Sequence, residues 1–250
     1  MVKIVLTPEW FVGVDVVIEF FSLIVLLFVV ILAINNYRKN RENRNLLYLG
    51  LGFTLITLAQ LASVLTKLIL YYDIGPTAAI GQAIVSSNFV SSVDIFYYIG
   101  FFFFKFLTLL GFYVIYRLPR DRKSVMDYVI VIYFVIISAI IQQSLYYIFH
   151  ITAFIMMIAI VEKYYLVYKE NKFINTKILV IAFLWLALSQ LIFALSSVDI
   201  LFAVANIIEL ISYITLLFLI IRILQYGTEK KSYGNNIRYA GNYSGQKRRH

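Results

Sequence analysis

The stretch IFYYIGFFFFKFLTLLGFYVIY, residues 95–116, is an unbroken apolar and aromatic run between Asp94 and Arg117, with a single cation, Lys105, near its middle. A bilayer hydrocarbon core about 30 Å thick needs roughly 20 such residues in a helix, so this segment is long enough to span it. The whole 250-residue chain follows the same logic. It is 62% hydrophobic with a mean hydropathy of +0.86, against about 45–50% apolar usage in soluble domains. The expected fold is all-α, a polytopic membrane protein lying in a lipid bilayer.

Scanning outward from residues 95–116 for apolar runs broken by charge or turn residues yields seven transmembrane helices. They fall near 10–34, 46–70, 94–117, 125–143, 146–168, 177–197 and 200–224. The division between the fourth and fifth rests on IIQQSLYY (140–147), which has neither Gly nor Pro, so one long helix through it stays open. All Lys and Arg except Lys3, Lys67 and Lys105 fall in the turns after the odd-numbered spans or in the tail. By the positive-inside rule, the N-terminus is outside and the C-terminus inside. The formal charge of +9 is thereby accounted for by topology, and nucleic acid is not an expected partner. A multi-pass cell-membrane protein is.

The tail, residues 225–250, is polar and ends GQKRRH. It reads as disordered and drawn to anionic headgroups, or as a docking peptide for a cytoplasmic partner. The NYS sequon at 242–244 lies on that inner side and is discounted. Nothing after the first apolar run reads as a cleaved signal. Residues 73–92, rich in small side chains, read as an outside loop, or as a lid or re-entrant element over the bundle mouth.

Two segments align at an offset of 130: NLLYLGLGFTLITLAQL (45–61) with NTKILVIAFLWLALSQL (175–191), matching Asn45 with Asn175, Phe53 with Phe183 and Gln60 with Gln190. At an offset of 105, Asp94 meets Asp199 and Arg117 meets Arg222. The pattern suggests a 3+1+3 parallel repeat, two three-helix halves joined by a linker helix.

Counting inward from the outer ends places Glu19, Lys105 and Glu209 at one depth. An ionised group near the bilayer centre costs about 2.5–3.5 kcal/mol on insertion scales, so the three are expected to face the bundle interior as an ionic layer. Helical spacing adds polar company: Asp15 and Ser22 beside Glu19; Asp94, Tyr98 and Thr108 beside Lys105; Asn206 and Tyr213 beside Glu209. Thr57, Gln60, Ser63 and Lys67 line the second helix, Ser189 and Gln190 the sixth. His150 and Gln142 reach in from the outer ends of the fifth and fourth. The candidate ligand or ion pocket is Asp15, Glu19, Gln60, Lys105, Gln190, Asn206 and Glu209. Two acids with one lysine favour a cation or bound proton, and Lys67 could cancel that excess. The bland alternative is that these groups clamp helices together, since lipid offers no hydrophobic drive for association.

Cysteine is absent, and the only histidines are His150 and His250. Disulfides, thiolate sites and a cysteine nucleophile are therefore excluded, and no metal or other cofactor is expected. No Gly-rich phosphate loop, serine elbow or metal-ligand spacing is present, so catalysis is not expected.

The stretch NYRKNRENRNLLYLGLGFTLITLAQL, residues 36–61, resembles the first cytoplasmic turn and second helix of archaeal seven-helix membrane proteins and, more distantly, seven-helix sensory regions that precede histidine kinases. The resemblance implies a sensory role exerted through a separate partner. The helix count also resembles that of retinal proteins, but their attachment lysine belongs in the seventh helix, where this chain has none. Three functions remain: a receptor-like or sensory protein with an outer-half pocket for a small ligand or ion, a carrier or channel for a cation or small solute, and a non-catalytic assembly subunit.

Overall fold

The computed structural model describes residues 7–39, 41, 44–72, 92–117, 125–140, 146–196 and 199–246. A 3-10 turn, Glu9–Phe11, precedes seven helices among these residues: α1 Val14–Lys39, α2 Arg44–Tyr72, α3 Ser92–Arg117, α4 Val125–Ala139, α5 Tyr146–Asn171, α6 Ile174–Ala194 and α7 Asp199–Gln246. Six are long and apolar enough to cross a membrane. The fourth is not: its 15 residues reach about 22 Å at 1.5 Å each. The expected span 125–143 therefore ends early, and the non-helical Ile140 excludes one long helix through IIQQSLYY. Where a disordered tail is expected from Gln225, the backbone of α7 continues as helix to Gln246. Residues 73–91 of the expected loop and Gln142 lie outside the described residues.

The long helices form a closed ring. Each of α1, α2 and α3 packs on the next, α3 packs on α5, α5 on α6, α6 on α7, and α7 returns to α1. The short α4 stands outside, against α3 and, less, α5. In a six-membered ring of this order, α2 faces α6 and α3 faces α7 across the centre. Phe53 of α2 and Phe183 of α6 meet there, their rings stacked at 6.3 Å and both almost fully buried.

Close approach fixes the tightest pair. A Cβ on Gly52 of α2 would collide with Ile115 of α3, and one on Gly111 of α3 would sit 2.8 Å from the Gly52 carbonyl oxygen. These glycines let the backbones touch, the usual device where dispersion and polar contacts must replace the hydrophobic drive.

Burial is inverted relative to a soluble protein. Phe20, Ile132, Ile155 and Phe218 are more than half exposed on the outer faces, whereas Asp15, Lys67 and Lys105 are buried. Apolar outer faces are consistent with a lipid environment, in which only satisfied backbone and apolar side chains can face outward.

Candidate functional site

The polar residues gather in a central cavity, in the half of the bundle remote from the basic turns. Every ring helix contributes: Glu19 from α1; Gln60, Ser63 and Lys67 from α2; Tyr97, Phe101, Phe104 and Lys105 from α3; Tyr146 and His150 from α5; Gln190 and Phe193 from α6; Phe202, Asn206 and Glu209 from α7. Thr7 closes it from the N-terminal segment. The space open to the centres of water molecules is about 80 Å³. At about 10–15 Å³ for each, that is room for roughly five to eight waters or a ligand of similar size.

Six of the seven candidate residues, Glu19, Gln60, Lys105, Gln190, Asn206 and Glu209, are on this wall. Asp15 is not. It lies behind Lys67, fully buried, where its carboxylate accepts bonds from Lys67 Nζ at 2.8 Å, the Thr7 hydroxyl at 3.2 Å and the Gly13 N–H at 3.1 Å. Asp15 thus ties the entry of α1 to α2 and holds the turn at Gly13, whose φ of 90° suits glycine.

The ionic layer is connected differently from the expectation. Lys105 does not pair with Glu19 or Glu209: among the described residues no carboxylate lies within ion-pair distance of it. Glu19 is taken by Lys67, at 2.7 Å, and by the Ser63 hydroxyl, at 3.0 Å. Adjacency is the reason. Helix α2 packs beside α1, whereas α3 does not, so the lysine on α2 reaches both acids first.

Lys105 serves the end of α4. Helix C-termini leave carbonyls without intrahelical partners and carry about half a negative charge. The last turn tightens with Ile140 N–H donating to Ile137 O at 3.1 Å, and Lys105 Nζ donates to the Ile140 carbonyl at 2.8 Å. The ammonium also sits 5.5 Å from the centre of the Tyr146 ring, within cation–π range. The end of the short helix is thus held by a cation from its neighbour. Lys163 of α5 makes a similar bond to the Tyr116 carbonyl near the end of α3, at 2.6 Å.

The wall opposite Lys105 offers acceptors. Glu209 receives the Tyr213 hydroxyl at 2.9 Å and, among the described residues, has no cation within ion-pair distance. Asn206 spends its amide N–H on the Phe202 carbonyl at 2.9 Å, which leaves its side-chain oxygen available. His150 Nδ1 lies 2.8 Å from Gln190 Oε1. An amide oxygen only accepts, so Nδ1 carries the proton and Nε2 is a buried acceptor with no hydrogen-bond partner among the described residues. No cluster of three or more metal-ligating side chains occurs among the described residues.

Some assignments made from spacing need correction. Tyr98, expected on the Lys105 face, is 40% exposed, and its neighbour Tyr97 lines the cavity instead. The aromatic walls, Phe101, Phe104, Phe193 and Phe202, were invisible because phenylalanine is equally at home facing lipid. Phe101 stands four residues before Lys105, Phe202 four before Asn206 and Phe193 three after Gln190, which is the signal for these three; Phe104, next to Lys105, has none. A second cavity of about 230 Å³ lies toward the basic end, lined by apolar residues with Asn36, Asn175 and Thr176; no pattern in the sequence pointed to it. Comparison with protein-family models, with curated proteins and with solved structures finds no match to this chain.

Proposed function

We propose that this protein is a multi-pass cell-membrane receptor, sensory in character, which binds a small ligand or ion in the central cavity. With the N-terminus outside, the cavity occupies the outer half of the membrane, beneath Thr7 of the N-terminal segment. The observation that carries the reading is the meeting of polar side chains from all six ring helices around a space large enough for solute. Residues that only clamp helices together would fill the space they share. The resemblance of the second helix region to seven-helix sensory proteins supports a sensory role.

A carrier is the second reading, favoured by the short α4, whose end Lys105 holds, and by the facing of repeat-matched residues. Discontinuous helices and parallel halves around a central site recur in transporters. Phe53 stacks on Phe183, and Gln60 and Gln190 share the cavity wall, which supports the 3+1+3 plan.

The absence of cysteine makes the test clean. Asn206→Cys in the full chain should react with a methanethiosulfonate reagent bearing an ethylammonium group, while Phe218→Cys, facing lipid, should not. A folded Asn206→Cys that stays unmodified contradicts the pocket. Uptake of methylammonium by proteoliposomes, lost in Glu209→Gln, would select the carrier; binding without uptake selects the receptor.

A further inference from the structure

The cavity's charges do not balance. Among the described residues, Glu19 and Glu209 on its wall and Asp15 behind Lys67 set three carboxylates against the ammonium groups of Lys67 and Lys105. Lys67 is committed to Asp15 and Glu19, and Lys105 to the α4 terminus. One lysine between two carboxylates leaves that cluster with a negative charge, and Glu209, on the face of α7 opposite α3, has no cation within ion-pair distance among the described residues. A net negative site in a low-dielectric interior is costly unless a cation or a bound proton completes it.

The groups left over around Glu209 define the cation. The carboxylate, the Asn206 side-chain oxygen and the orphaned His150 Nε2 are all acceptors, suited to the several N–H donors of one ammonium head. Phe193 stands between His150, at 5.0 Å, and Phe202, at 5.4 Å. Such aromatic faces attract an organic cation and give little to a metal ion that demands oxygen ligands. The described residues bring together no metal-ligand cluster.

We infer that the ligand is a small organic amine in its ammonium form, its head held by Glu209, Asn206 and His150 and its carbon end against Phe193 and Phe202. The room for roughly five to eight waters limits it to a comparable number of heavy atoms. This assignment rests on the pocket reading above and narrows it to one chemical class.

The experiment measures thermal stabilisation of the unmodified full chain in detergent, at constant ionic strength, by methylammonium, ethylammonium, tetramethylammonium, sodium, potassium and acetate. The expected result is saturable stabilisation by the primary alkylammonium ions, with at least tenfold weaker response to sodium, potassium and acetate. Glu209→Gln should weaken the ethylammonium response at least tenfold, and His150→Phe should weaken it less. Equal or stronger stabilisation by a metal ion, preference for acetate, or no response to any of the six overturns the inference. An ethylammonium response unchanged in a folded Glu209→Gln overturns it as well. Modification of Asn206→Cys is decided separately, so a failed amine assignment is distinguishable from a failed pocket.

Discussion

Lys67 and Lys105 are both buried lysines, yet they do different work. Lys67 is shared by two acids at 2.7 and 2.8 Å, and its removal strands two carboxylates in a buried site. Breaking a buried pair by deleting one partner costs about 3–5 kcal/mol. Lys67→Met is therefore expected to lower the thermal midpoint by roughly 10 °C or more, at 2–4 °C per kcal/mol for a chain of this size, as read by a melt in detergent. Lys105 holds a carbonyl and a ring, so Lys105→Met forfeits one charge-assisted bond and leaves one acceptor exposed to an apolar interior. The expected loss is smaller, about 1–3 kcal/mol. A Lys105→Met chain less stable than Lys67→Met would contradict this ranking.

At the level of elements, α2 and α3 pack through glycine. Gly111→Val would press against the Gly52 carbonyl, which cannot rotate away, so the helices must separate; overpacking of this kind costs about 1–3 kcal/mol. The same melt should show a fall for Gly111→Val and none for Gly50→Ala, whose Cβ would meet Ala33 at an ordinary 3.4 Å. The long helices were legible in the sequence because each apolar run is bounded by charge or a turn residue. The early end of α4 was not. Residues 140–147 lack Gly and Pro, and the group that holds the terminus, Lys105, lies 35 residues away in sequence. Depth was legible too: counting inward brought Glu19, Lys105 and Glu209 to one cavity. Pairing was not, because it depends on which helices are neighbours in the ring, and a hydropathy pattern carries no information about adjacency.

Across the whole molecule, the ring converts scattered polar residues into a site. Helix α4, excluded from the ring, allows α3 to meet α5 directly, and the centre stays open where charges face each other rather than where aromatic rings stack. The same α4 terminus also keeps Lys105 turned inward, so the shape of the cavity and the stability of the fold share one side chain. The most direct test replaces it. In a chain otherwise free of cysteine, Lys105→Cys should melt at a lower temperature than the unmodified protein. Reaction with the ethylammonium methanethiosulfonate rebuilds a cation at that position, and the account predicts that stability returns, whereas an uncharged ethyl reagent modifies the thiol without restoring it. A thiol that neither reagent reaches, or equal rescue by both, would contradict an ammonium facing the central cavity.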